Sequence, residues 1–91
     1  MNENIFTKKY PVLDIHGETE ATADLLIKTF INDNYKLQNK NFLIIHGIGE
    51  GILKHKTHEI LSNDHRILSY KLDEWNLGTT IVQITLDNIR H

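Results

Sequence analysis

The 91-residue sequence contains no cysteine, a single proline and only two alanines. Without cysteine, disulfides cannot hold the fold, no thiolate can act as a nucleophile, and no cysteine-containing zinc site can form. No apolar run reaches the roughly 18 residues that a membrane-spanning helix requires, and Met1 to Tyr10 lacks the apolar centre of a secretory signal. A soluble, cytoplasmic protein is the expectation. Neither sign of charge is in excess either. Ten basic and 12 acidic side chains give a net charge of −2, so the overall basic field of many nucleic-acid binders is missing. If the chain binds nucleic acid, local geometry must do it.

What is present fits one small globular domain. Hydrophobic residues make up 40% and charged residues 24%, and a chain of this length buries about two thirds of the surface it exposes when unfolded. Thirteen isoleucines and nine asparagines reflect genome base composition and carry no functional reading. Residues 1 to 10 are expected to form a polar arm with Lys8 and Lys9. Pro11 then biases Tyr10 toward an extended backbone. Strand alternation over residues 12 to 16 puts Leu13 and Ile15 on one face, Asp14 and His16 on the other, and Gly17 ends it. Thr19 suits an N-cap for a helix over 20 to 37, where Ala23, Leu26, Ile27, Phe30 and Ile31 recur at helical spacing.

The apolar run Phe42-Leu43-Ile44-Ile45 is too short for a helix and reads as a central strand, closed by His46. Gly47-Ile48-Gly49-Glu50-Gly51 opens a second helix over 51 to 62, with Leu53, Ile60 and Leu61 on one face. A third strand over 67 to 72 places Leu68, Tyr70 and Leu72 together. A fourth, over 80 to 86, carries Thr80, Val82, Ile84 and Leu86. The short link between these two strands suits an antiparallel, half-exposed pair. The predicted order is β-α-β-α-β-β, a two-layer α/β (α+β) domain. Its right-handed crossovers make the first three strands parallel and put both helices on one face of the sheet. The expected core is Leu13, Ile15, Ala23, Leu26, Ile27, Phe30, Phe42, Ile44, Leu53, Ile60, Tyr70, Val82 and Ile84.

This topology brings Asp14 and His16, and separately His46, to the carboxyl ends of neighbouring strands, where open α/β sheets bind ligands. The glycines after His46 permit positive φ and close backbone approach, and a helix N-terminus behind them offers unpaired N–H groups, which suits a phosphate. Their spacing matches neither the dinucleotide fingerprint nor a P-loop, so nucleotide cofactors are not expected. His55 and His58, flanked by Lys54 and Lys56, read as a solvated basic stripe and not as metal ligands.

Leu13-Asp14-Ile15-His16-Gly17, followed about thirty residues later by Ile45-His46-Gly47-Ile48-Gly49-Glu50-Gly51-Ile52-Leu53-Lys54, resembles the two motifs of the Smr (small MutS-related) domain. The resemblance runs from residue 11 to 86, making 11 to 91 a stand-alone Smr-like domain. It implies a fold similar to the C-terminal domain of the third bacterial translation initiation factor: a mixed four-stranded sheet with strand four antiparallel between strands two and three. It further implies an endonuclease that nicks DNA or cleaves RNA, including messenger RNA on stalled or collided ribosomes. By the same resemblance Asp14 and His16 correspond to the active-site pair, and His46, Gly47, Gly49 and Gly51 to the nucleic-acid-binding and catalytic turn. Ile48 and Glu50 stand where a basic or small polar residue is frequent, and Trp75-Asn76-Leu77-Gly78 keeps one glycine of a usual glycine-rich turn. Weaker phosphate binding is the consequence.

For RNA, His16 and His46 could exchange protons near neutrality while Asp14 orients one imidazole, with Lys54 and the turn N–H groups binding the phosphate oxygens; this route needs no cofactor. Nicking DNA, which lacks the 2′-hydroxyl, would need an activated water and a divalent metal ion, with Asp14 as its oxygen ligand. A non-catalytic nucleic-acid- or ribosome-binding module is the rival reading. In it the turn, Lys54, His55, Lys56 and Arg66 contact phosphates and Trp75 stacks on a base. The alternative for Trp75, a cap on the end of the core, is the favoured one. The Asp14-x-His16 pair favours an enzyme, since phosphate binding alone has no use for a carboxylate.

Overall fold

A computed structural model describes residues 9–86 of the chain. The expected arm lies outside the described residues except for Lys9 and Tyr10, as does the expected domain beyond Leu86. The elements are β1 (Val12–Asp14), α1 (Glu20–Leu37), β2 (Asn41–Ile45), α2 (Ile52–Ser62), β3 (Ile67–Leu72) and β4 (Thr79–Ile84). They follow the predicted order, with ends displaced by one or two residues.

The sheet order is β1-β2-β4-β3, with β1 parallel to β2 and β4 antiparallel to both its neighbours. Burial explains why β2 and β4 are central. Phe42 and Ile44 of β2 and Val82 of β4 are fully buried, and Ile84 is nearly so. β4 keeps the expected alternation, with Thr80, Val82 and Ile84 buried and Ile81 and Gln83 partly exposed, and Thr79 at its start is buried as well. β1, only three residues long, is a short edge, which limits unwanted strand pairing.

Thr19 caps α1 as expected, its Oγ1 accepting from the Thr22 N–H at 3.1 Å. Ala23, Ile27 and Ile31 of α1 and Ile60 and Leu61 of α2 join Ile15, Phe42, Ile44, Val82 and Ile84 in one core, so both helices cover the same face of the sheet. The remaining predicted core residues, Leu13, Leu26, Phe30, Leu53 and Tyr70, pack against it. Each fully buried aliphatic or aromatic side chain contributes about 1.5–3 kcal/mol. The Phe30 ring meets Phe42 edge-on at 5.1 Å, a geometry that aromatic quadrupoles favour.

In β3 the register shifts between Ile67 and Ser69. This bulge turns Leu68 out to solvent, 62% exposed, and Ile67 takes the place beside Tyr70 against the core. The expected trio of Leu68, Tyr70 and Leu72 is corrected accordingly, because one extra residue inverts the facing of everything before it.

Candidate active site

Alternation along β1 sends Ile15 into the core and leaves Asp14 and His16 outside. The chain then turns sharply at Gly17, whose φ is +83°, and the Glu18 N–H donates to the Ile15 carbonyl at 3.0 Å. Within this turn Asp14 Oδ1 lies 2.6 Å from His16 Nδ1 and also accepts the His16 backbone N–H at 3.1 Å. The hydrogen bond from the ring raises the His16 pKa above its ordinary value, and the attraction of the Asp14 charge adds to it. Asp14 is lowered by the same side-chain bond and then by the backbone one. Both side chains are exposed. Among the described residues His16 Nε2 makes no hydrogen bond to the protein.

His46 lies at the end of β2 and is buried, 4% exposed. Its Nδ1 lies 2.9 Å from the Gly47 carbonyl and its Nε2 2.8 Å from Thr80 Oγ1. Burial lowers its pKa and the neighbouring Lys54 charge adds to this, the Gly47 contact opposing. The backbone N–H groups of His46 and Gly47 both donate to the Gly78 carbonyl, at 2.9 and 3.0 Å. These bonds bring the 76–78 loop against the glycine turn so closely that a Cβ on Gly78 would lie 3.2 Å from the Gly47 carbonyl carbon. Gly47 itself has φ +86°, and a Cβ there would sit 3.3 Å from His16 Cβ. Only glycine lets the turn adopt that conformation and press on His16.

The turn after β1 and the glycine turn thus meet at a hollow of about 380 Å³ lined by His16, Gly17, His46 and residues 47–54. The N-cap of α2 is Gly51, with φ +84° and no side-chain cap. Residues 49–50 form a tight turn, and among the described residues no backbone carbonyl engages the N–H groups of residues 48–50 and 52–54, which leaves donors and the positive end of the helix dipole at the hollow. Lys54 lines it too, with Cε 4.0 Å from where a Gly51 Cβ would be.

The other expected phosphate ligand, Lys56, is not brought to this hollow. It faces a larger groove of about 670 Å³ between α1 and α2, with Asp24 and Glu59 each 3.8 Å from its ammonium. Arg66 is likewise committed elsewhere: it bonds Asp64 and Asn32 and stacks over the Tyr35 ring. His55 is exposed. His58 is no part of a solvated stripe: its Nε2 lies 2.8 Å from Thr80 Oγ1, and its ring contacts Tyr70 at 5.0 Å. Trp75, with 76% of its surface exposed, does not cap the core; the loop is shaped instead by buried Asp73, whose carboxylate accepts the Trp75 N–H at 2.8 Å. Thr80 was missed as a site residue. Its one sequence signal is a hydroxyl at a position the alternation turns inward, where a buried polar atom needs partners.

The profile of the Smr domain family matches residues 13–85. Endonuclease MutS2 of Halothermothrix orenii is 34% identical over 77 residues and that of Thermotoga neapolitana 36% over 75. These alignments cover 81% and 79% of the chain but only 10% of each relative. Among solved structures, the Smr domain of Thermus thermophilus MutS2 superposes with a TM-score of 0.78 at 27% identity, covering 82% of this chain and 98% of that one. YdaL, a stand-alone small MutS-related protein from Escherichia coli, has the same fold, with a TM-score of 0.79 at 20% identity over 87% of this chain and 70% of its own.

Proposed function

Given that this chain belongs to the Smr domain family, we propose that it is an endonuclease whose substrate is RNA and whose proton-transferring group is His16, oriented by Asp14. The observation that carries this reading is the exposed Asp14–His16 bond set against a glycine turn in which the N–H groups of Ile48, Gly49 and Glu50 have no backbone acceptor among the described residues. With Nδ1 held by Asp14, the Nε2 of neutral His16 takes the proton of a 2′-hydroxyl. The 2′-oxygen attacks phosphorus, and the imidazolium, stabilised by the Asp14 charge, returns the proton to the departing 5′-oxygen. Turn N–H groups and Lys54 steady the phosphate oxygens while charge builds on them. His46, enclosed and bonded through both ring nitrogens, shapes the turn and does not touch the substrate.

The alternative, DNA nicking, calls for a divalent ion. Among the described residues no three His, Asp or Glu side chains converge to hold one, so the donor set fits a metal poorly and no step is routed through it. Exposed Trp75 supplies a face on which a base can stack. Lys54 is opposed by exposed Glu50 in the turn, and affinity for free RNA is expected to be low. RNA held on a ribosome, where protein contacts add binding energy, is the substrate form this favours. The test compares wild-type protein with Asp14→Asn and His16→Ala on RNA, free and ribosome-loaded. Loss of cleavage by about 100-fold or more in His16→Ala, with an unchanged melting temperature, is expected. Full activity in that variant would refute the assignment.

A further inference from the structure

Thr80 Oγ1 lies 2.8 Å from His46 Nε2 and 2.8 Å from His58 Nε2. A hydroxyl has one proton, so Thr80 donates to at most one of these rings. The other end of His46 decides which. Its Nδ1 is 2.9 Å from the Gly47 carbonyl, and a carbonyl only accepts, so the single proton of neutral His46 is on Nδ1 and its Nε2 is an acceptor. Thr80 therefore donates to His46, and His58 must donate its Nε2 proton to Thr80. The bonds run one way, from His58 through Thr80 and His46 to the Gly47 carbonyl.

Both rings are held neutral. They meet edge to face at 6.0 Å, and Tyr70 packs on His58 at 5.0 Å. Burial is the first cause that lowers each imidazole. The charge of Lys54 lowers both further, and His46 and His55 add to the lowering at His58.

We infer that Thr80 and His58 are positioning residues for the glycine turn: they reinforce the His46 tautomer that the Gly47 carbonyl selects, which holds that carbonyl inward and so points the Ile48 N–H outward into the hollow. The last step is peptide geometry. No cis peptide is present, and across a trans peptide the carbonyl of one residue and the N–H of the next point in opposite directions. An Ile48 N–H aimed outward is a donor for an anion, and no backbone carbonyl among the described residues takes it. If His46 carried its proton on Nε2, its Nδ1 lone pair would face the Gly47 oxygen, and two acceptors at that distance repel. The peptide would then have to rotate, taking the Ile48 donor with it. The role of the donor rests on the reading of the turn as a phosphate site; the direction of the hydrogen-bond chain does not.

Nitrogen-15 NMR of the imidazoles, combined with titration of inorganic phosphate, tests both parts. The wild-type protein should show His46 as the Nδ1–H and His58 as the Nε2–H tautomer. Thr80→Val, close in shape but lacking the hydroxyl, should mix the His46 tautomers and weaken phosphate binding by about tenfold. Thr80→Ser should restore both. His58→Phe keeps a ring against Tyr70 without the donor and should act like Thr80→Val, which covers the case of a poorly folded valine variant. A wild-type His46 protonated on Nε2 would overturn the chain, and unchanged phosphate affinity in folded Thr80→Val and His58→Phe would overturn the positioning role. Expected tautomers in a wild-type protein that binds no phosphate would support the chain and overturn the anion site.

Discussion

Replacing Gly47 with alanine is expected to cost distinctly more stability than the same change at Gly17, and the difference measures how tightly the turn presses on His16. Both glycines have nearly the same left-handed backbone, with φ +86° and +83°. An L-residue in that region costs about 1–2 kcal/mol, and losing glycine's freedom in the unfolded chain returns about 0.4–1 kcal/mol. Gly17→Ala, with nothing within 4 Å of the added Cβ, should therefore lose about 1 kcal/mol. At Gly47 the Cβ would meet His16 Cβ at 3.3 Å, inside the ordinary carbon contact of about 3.5–4.0 Å. The crowding adds about 1 kcal/mol or more. For a chain of 91 residues, each kcal/mol lowers the melting temperature by about 5 °C. Thermal unfolding followed by circular dichroism should thus show losses of about 5 °C for Gly17→Ala and about 10 °C for Gly47→Ala. Equal losses would show that the turn does not approach His16 as described.

Acidification should destabilise the fold. His46 and His58 are lowered from the ordinary value of 6.5, so below that value the unfolded chain takes up protons that the folded one refuses, and stability falls until their lowered values are reached. His16, raised, acts in the opposite direction, losing its contribution as pH rises through its folded value; being fully exposed it has little weight. Melting temperatures across the acid side of neutrality check the sign, and a fold that gains stability there would contradict it. In Asp14→Asn the His16 pKa should drop toward its ordinary value, moving the acid limb of the pH–rate profile to lower pH. Lys54→Ala should weaken RNA binding several-fold by fluorescence anisotropy, whereas Lys56→Ala should leave binding unchanged and disturb only the contact between α1 and α2.

Local pattern made β1, the Thr19 cap and the apolar stripe of α1 readable, because each is decided by residues within one or two turns of one another. The same alternation placed Asp14 and His16 on one exposed face, so their pairing was legible from five consecutive residues. Leu68 was not, since a bulge changes facing without any mark in composition. Nor was the burial of Thr79, which follows from the place of β4 between β2 and β3 and not from its own alternation. His58 owes its hydrogen bond to a threonine 22 residues away, on a strand whose neighbours only the tertiary fold sets. Lys56 is the more instructive case. Two residues beyond Lys54 on one helix, it had to point to a different side by helical geometry alone.

The central claim, cleavage by a His16-mediated attack of the 2′-hydroxyl, is tested most directly by the chemistry of the cut end. Wild-type protein is incubated with ribosome-loaded and free RNA in the presence of a chelator, and the product termini are identified by mass spectrometry. A 2′,3′-cyclic phosphate on the upstream fragment, formed despite chelation and absent with His16→Ala, is the expected result, since that end arises when the neighbouring 2′-oxygen displaces the 5′-oxygen. A 3′-hydroxyl end formed only with free divalent ion, or RNA left intact in both forms, would contradict it.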